Sequence, residues 1–308
     1  MLHSKLLRYL DEVARSGSIR AAAARLNVAS SAVNKQVLMI EKEIGVPLFE
    51  RLPRGLRLTP AGELMLAHIR QTINDYKNVE ADIRDLQDTQ SGELTLCTTN
   101  GLAGGIAPQV AAQFSERYPR IRIHVRVQFI RDIMSAVING DADLGLAYNL
   151  PTDPSLRILE KMEARLGAVM SPGHPLAAMG SVPLSYCASY PLIFADKAML
   201  LNSIMTDAFA GAGVEVRPTF STNSIETMKF LAMAGRGIAF LSRFDIAEEL
   251  RMGLLTYVHI RGNTVGSNSL TLVQRDKRSL GVAARLFAED LFNALHSTVD
   301  DNGRNGGK

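Results

Sequence analysis

Near the start of this 308-residue chain, Ser30, Ser31, Asn34 and Lys35 crowd into six positions. On a helix beginning near Ser30 they form an outward row that continues through Leu38 and Lys42. Short hydroxyl and amide groups reach base edges in the major groove of duplex DNA, and a lysine meets phosphate or guanine. A second set follows, in which Arg51, Arg54 and Arg57 repeat every third residue around Pro53 and Gly55. A basic turn of that kind can lie along phosphates or place an arginine in a minor groove.

Other chemistries find no constellation. His3, His68, His124, His174, His259 and His296 make no metal spacing. There is no Gly-x-Ser-x-Gly elbow. The glycine-rich stretch 101–105 lacks the Lys-Ser/Thr of a phosphate-binding loop. Neither a metal, a cofactor nor an enzymatic activity is therefore expected. Cys97 and Cys187 fit no close-spaced metal pattern and no disulfide framework. Cys97 falls in an apolar strand-like run and Cys187 after a short helix, so both are expected to be structural thiols. A disulfide-triggered protein ranks third among the readings. Lys5, Arg8, Asp11 and Glu12 interrupt the start before a signal-peptide core develops, and no stretch reaches 18 uncharged apolar residues. A cytoplasmic protein is expected.

The charge is unevenly divided. The net +3 splits into +5 over residues 1–60, −3 over 61–90 and +1 over the remainder. One module thus carries the footprint of a polyanion partner and the rest does not. Leu6, Leu7, Leu10, Val13 and Ala14 give a first helix an apolar face. Ser16, Gly17 and Ser18 break it, and Ser18 can cap a second, with Ile19, Ala22, Ala23 and Leu26 inward. After a turn at Asn27, Val28 and Ala29, a third helix buries Val33, Val37, Ile40 and Ile44 and stops at Gly45 and Pro47. Two strands, 48–51 and 56–59, then bracket the basic turn. The sum is a winged helix-turn-helix. An ordinary three-helix bundle with a solvated face is the competing reading.

Thr59 and Pro60 open a long helix reaching about residue 90. Its stripe of Leu66, Ile69, Ile73, Tyr76, Val79, Ile83 and Leu86 is narrow, as suits a helix–helix seam, and residues 61–90 read as a dimerisation linker, with a helix packed on its own domain as the alternative. Ser91 and Gly92 end it. Beyond them, strand-like runs at 94–98, 121–127, 144–148, 166–170, 192–194, 238–241, 256–260 and 270–273 alternate with helical stretches at 106–118, 130–139, 200–211, 225–234 and 280–295. That texture is α/β. The tail 299–308 is polar, glycine-rich and expected to be disordered.

This order of pieces resembles the LysR-type transcriptional regulators over residues 2 to 295. The motif is carried by Gly17-Ser18-Ile19-Arg20-Ala21-Ala22-Ala23, by Leu26-Asn27-Val28, and by Ala32-Val33-Asn34-Lys35-Gln36-Val37. It continues through Ile40-Glu41-Lys42-Glu43-Ile44-Gly45-Val46-Pro47-Leu48-Phe49-Glu50-Arg51 and Leu58-Thr59-Pro60-Ala61-Gly62. The resemblance implies a DNA-binding domain over 1–60, the linker over 61–90, and a periplasmic-binding-protein-like effector domain over 91–298. That domain would have two α/β subdomains, I at about 91–162 and 268–298 and II at about 163–267. It further implies dimers or tetramers on an interrupted inverted repeat, and an effector in the interdomain cleft. The departures are Ala29-Ser30-Ser31, Leu38 and Met39 in the recognition helix, which bear on the operator, and Gln128, Phe129 and Ile130, which suggest a different or more apolar ligand, or a pocket partly filled by its own side chains.

Ligands of such folds sit where strands end and helices begin. Thr98, Thr99 and Asn100, followed by Gly101, suit a carboxylate, with plain helix capping as the alternative. The other junctions supply Phe129, Ile130, Tyr148, Phe194, Asn223 and Ser224. A solute-binding or enzymatic α/β protein whose N-terminal bundle only oligomerises is the competing class.

Overall fold

The computed structural model describes residues 5–53, 55–85, 91–262, 268–276 and 279–304. The chain divides into two compact units, the first carrying four helices and a hairpin, the second two larger sheets with the helices against them.

In the first unit, α1 (Lys5–Ser16), α2 (Ile19–Leu26) and α3 (Ser30–Ile44) precede the hairpin β1 (Phe49–Leu52) and β2 (Gly55–Leu58). Ser18 caps α2 by accepting from the Ala21 N–H, and Asn27 closes it in the left-handed region at φ 52°. Gly45 ends α3 at φ 82°, a conformation that glycine adopts without a Cβ penalty. Leu10, Val13, Ala22, Ala23, Val33, Val37 and Ile40 form the core. Ala22 and Ala23 let α2 approach its neighbours closely. Ile44 departs from the expectation: as the last residue of α3 it is 38% exposed.

The long helix α4 (Pro60–Asp85) starts at Pro60 as anticipated, and residues beyond 85 to 90, Leu86 among them, lie outside the described set. The first half of its apolar stripe serves its own unit. Ile69 is buried in the core with Met65 and Ile73 packed on it, and Leu66 is buried too. Val79, further along, is 54% exposed. The side chain of Ile83 is outside the described set.

The second unit holds two lobes. The first has a five-stranded sheet ordered β4-β3-β5-β13-β6, from β3 (Gly92–Thr98), β4 (Ile121–Val127), β5 (Leu144–Tyr148), β6 (Leu156–Glu163) and β13 (Ser269–Arg275). β3 runs parallel to β4 and β5, while β13 is antiparallel to both its neighbours. The helices α5 (Asn100–Gly104), α6 (Ile106–Arg117), α7 (Ile130–Asn139) and α12 (Val282–Arg304) belong to it. The second lobe has a six-stranded sheet ordered β10-β9-β11-β7-β12-β8. Its strands are β7 (Leu166–Met170), β8 (Ser181–Val182), β9 (Leu192–Ala195), β10 (Phe220–Thr222), β11 (Ile238–Ser242) and β12 (Thr256–Ile260). Its helices are α8 (Leu184–Cys187), α9 (Leu200–Gly211), α10 (Ile225–Met233) and α11 (Ala247–Arg251). The chain leaves the first sheet after Glu163 and re-enters it at Ser269.

Three strands and two short helices were not anticipated: β6, β8 and β10, and α5 and α11. β6 is an edge strand with most of its side chains partly or fully exposed, so it lacks the apolar run that marks a buried strand. The tail also differs from expectation, since α12 continues to Arg304.

Candidate functional site

On α3 the buried Val33, Val37 and Ile40 fix the helix rotation, and the opposite face is left to solvent. Ser30, Ser31 and Lys35 are exposed and Asn34 is half-buried, so the four polar residues share the outer side. Ala29 occupies the N-cap without a side-chain bond, leaving the Ser30 and Ser31 hydroxyls unused by the cap. Glu41, which the sequence reading passed over, ties this helix to the hairpin: its Oε1 accepts from the Leu48 and Phe49 N–H groups at 2.8 and 3.1 Å. The other strand is held at the α1–α2 turn, where the Leu56 N–H donates to the Gly17 carbonyl at 2.8 Å. A Cβ on Gly55 would stand 2.7 Å from that carbonyl oxygen, which is why glycine is required at the approach. Helix and hairpin are therefore one rigid surface.

On that surface Arg51 is exposed, and no ion pair to it is found among the described residues. Arg57 is exposed but donates to Glu50 Oε2 across the hairpin at 2.7 and 3.2 Å. Its charge is partly neutralised, which the spacing of arginines did not reveal. Arg54 lies outside the described residues.

In the second unit the two lobes meet around the turn at 98–101. Thr98 is fully buried and donates its hydroxyl to the Leu146 carbonyl at 2.9 Å, so its side chain is spent within the sheet. Thr99 precedes α5 without a capping bond, and its Oγ1 is buried with no partner among the described residues. The capping alternative is thus not what occupies Thr99. Gln128, beside it through a Gln128 N–H bond to the Thr98 carbonyl, also buries an unpartnered Oε1. Buried polar atoms without partners cost free energy and mark places where a ligand or water completes the network. Asn100 is exposed.

The remaining junction residues separate into distinct roles. Phe129 is 84% exposed and Ile130 half-buried at the start of α7. Phe194 is 3% exposed and packs with Phe209 and Phe240 in the second lobe's core, at centroid distances of 5.8 Å each. It does not line the cleft; it points to the opposite face of its strand. Ser224 caps α10 by accepting from the Thr227 N–H, and Asn223 beside it is exposed.

Tyr148 leads to the feature the sequence reading missed. Its hydroxyl donates to Asp245 Oδ1 at 2.9 Å, and the Ser242 N–H donates to Oδ2 at 3.0 Å. Asp245 comes from the second lobe, yet its carboxyl lies against the first turn of α5, where a Cβ on Gly101 would be 2.2 Å from Oδ1. Burial pushes this carboxyl up to about 6, against the hydrogen bonds from Tyr148 and Ser242 and the charge of Lys229. Burial and the Asp245 charge push the Tyr148 hydroxyl well above the ordinary tyrosine value.

Nearby, Lys229 is 1% exposed on α10. Its Nζ lies 2.6 Å from Glu249 Oε1 and donates to Glu226 Oε1 at 3.0 Å and to the Gly104 carbonyl at 2.9 Å. Phe244 inserts into the first lobe's core, and its carbonyl accepts from the Ile106 N–H at 3.1 Å. One side of the lobe junction is therefore stapled by two buried charged groups and an aromatic plug. A lysine inside the apolar run of α10 was the available signal.

Both cysteines are free and buried, Cys97 in β3 and Cys187 in the second lobe's core. Burial raises the Cys187 thiol to about 12. No helix among the described residues is long and apolar enough to cross a membrane.

Comparison with known proteins gives two family matches. Residues 4–63 match the bacterial regulatory helix-turn-helix proteins of the lysR family, and residues 87–295 match the LysR substrate binding domain. A probable RuBisCO transcriptional regulator of Nostoc sp. is 28% identical over 93% of this chain and 86% of its own length. One from Porphyra purpurea is 26% identical over 96% of each. Among solved structures, a full-length OxyR variant from Pseudomonas aeruginosa superposes with a TM-score of 0.68 at 17% identity, covering 96% of this chain and 95% of that one. Full-length CbnR in complex with its target DNA gives 0.52 at 21%, covering 94% and 98%. At these identities the structures report the shared fold.

Proposed function

Because the chain belongs to the LysR family and is a transcriptional regulator with a helix-turn-helix domain and an effector-binding domain, we propose how its residues divide that work. Ser30, Ser31, Asn34 and Lys35 read base edges, while Arg51, Arg54 and Arg57 hold phosphates, Arg57 only after exchanging its bond to Glu50. The observation that carries this reading is the joint surface: α3 turns its polar side outward and Glu41 fixes the hairpin to the same helix. Residues 1–60 act as the DNA-binding domain, 61–90 as the dimerising linker and 91–298 as the effector domain. The exposed Val79 on the α4 stripe supports pairing of two copies, as dimers or tetramers, on an interrupted inverted repeat. The protein acts in the cytoplasm.

The effector is a small molecule seated between the lobes near Thr99 and Asn100, with Ile130 and Tyr148 on the walls. The buried, unpartnered oxygens of Thr99 and Gln128 support that place. A carboxylate effector, which the hydroxyl-rich turn suggested, meets the protein's own Asp245 carboxyl at Gly101 and has to bind beyond it.

Titration of duplex DNA against salt tests the assignment. Arg51→Ala weakens binding to all sequences and lowers the salt slope by about one. Asn34→Ala and Ser31→Ala change sequence preference instead. Uniform weakening by all three, or undiminished binding after removal of residues 1–60, overturns the reading.

A further inference from the structure

A cavity of about 870 Å³ opens in the first lobe between β6, β13 and α12, away from every residue assigned above to DNA or effector. Its size falls within the range of small-molecule sites. Leu272, 1% exposed, and Phe292, 42% exposed, give it an apolar floor and a ring at the rim. Among the described residues, four charged side chains also line it: Arg157 from β6, Asp276 after β13, and Arg285 and Glu289 one turn apart on α12. None of these four is ion-paired among the described residues, although two cations and two carboxylates share one cavity.

That arrangement is informative about the occupant. Opposite charges lining one concavity without closing on each other leave a gap that a ligand of both signs can bridge. A simple anion would be repelled by Asp276 and Glu289, and a simple cation by the two guanidiniums. A molecule carrying a carboxylate and an ammonium at its ends, with an apolar body over Leu272 and Phe292, matches charges and floor together. Arginine suits the carboxylate end because its planar fork takes two oxygens at once. We propose that this cavity is a second ligand site, separate from the interlobe cleft, for an apolar amino acid or short apolar peptide in its zwitterionic form.

The test uses the full-length protein and the dipeptide leucyl-phenylalanine, with its N-acetylated and C-amidated forms as probes lacking one charge each. Isothermal titration should show saturable binding of the free dipeptide at one per chain, weakened about tenfold or more by either block. Arg157→Gln with Arg285→Gln should cause a similar loss of affinity while leaving thermal unfolding unchanged, since both side chains are exposed. Thr99→Ala should leave it intact. No saturable binding, equal binding of the blocked forms, or indifference to the arginine replacements overturns the proposal. Loss of binding in Thr99→Ala alone would assign the dipeptide to the interlobe cleft and overturn it equally.

Discussion

Replacing Asp245 by asparagine, and following stability across pH, examines the lobe junction directly. The Asp245 carboxyl is held at about 6 against an ordinary aspartate value of 3.8, chiefly by burial. The folded chain therefore binds this proton more tightly than the unfolded chain. The group's favourable contribution is complete below the unfolded value and is lost as pH rises through about 6. A difference of about two pH units at 1.36 kcal/mol each amounts to roughly 3 kcal/mol across the whole window. Some 2 kcal/mol of it falls between about pH 4.5 and 7. Asparagine retains an oxygen that can accept from the Ser242 N–H and a polar group for Tyr148, but carries no charge. The groups facing the carboxyl are Tyr148, Lys229 and Glu226, and all three remain in the variant. Urea denaturation of both full-length proteins at a series of pH values gives the comparison. Wild type should lose about 2 kcal/mol relative to Asp245→Asn between pH 4.5 and 7. A difference constant to within about 0.5 kcal/mol over that interval would refute the reasoning, because it would mean that the carboxyl is solvated and its seat against Gly101 is not closed.

Three further outcomes follow from the same geometry. Glu41→Ala removes the acceptor of two hairpin N–H groups and should cost roughly 2 kcal/mol with a matching fall in DNA affinity, while Glu41→Gln keeps most of both. Unchanged DNA binding in the alanine variant would show that the hairpin does not depend on α3. Lys229→Met leaves Glu249, whose side chain is 14% exposed, beside an uncompensated site. It should lower unfolding stability by roughly 3–5 kcal/mol, and a loss below about 1 kcal/mol would contradict the staple. The Cys187 thiol, raised to about 12 by burial, should resist a disulfide reagent at about pH 8 in the native protein and react in denaturant. Rapid native labelling of that residue would revive the redox reading.

Much of the helix-turn-helix was legible because its information is local. The spacing of Val33, Val37 and Ile40 gives the rotation of α3, and Ser18, Asn27, Gly45 and Pro60 mark helix ends through their own backbone preferences. Buried strands such as β5 and β7 announced themselves as apolar runs. The edge strand β6 did not, since a half-solvated strand pairs through backbone groups that carry no side-chain signature. At the effector cleft, the turn at 98–101 could be found as a strand-to-helix junction, but which of its hydroxyls is free could not. Thr98 spends its own on Leu146, 48 positions away, and Thr99 does not.

Residue types and their short-range periods thus determined the order of elements, the basic N-terminal module and the polar row on α3. Tertiary structure alone decided that Glu50 answers Arg57, that Phe194 faces a core, and that Asp245 crosses 97 positions to meet Tyr148 beside Gly101. The reason lies in range: a helix or strand is specified by neighbours three, four or two residues apart. A buried carboxyl's partner is specified only by how the two sheets come together in space.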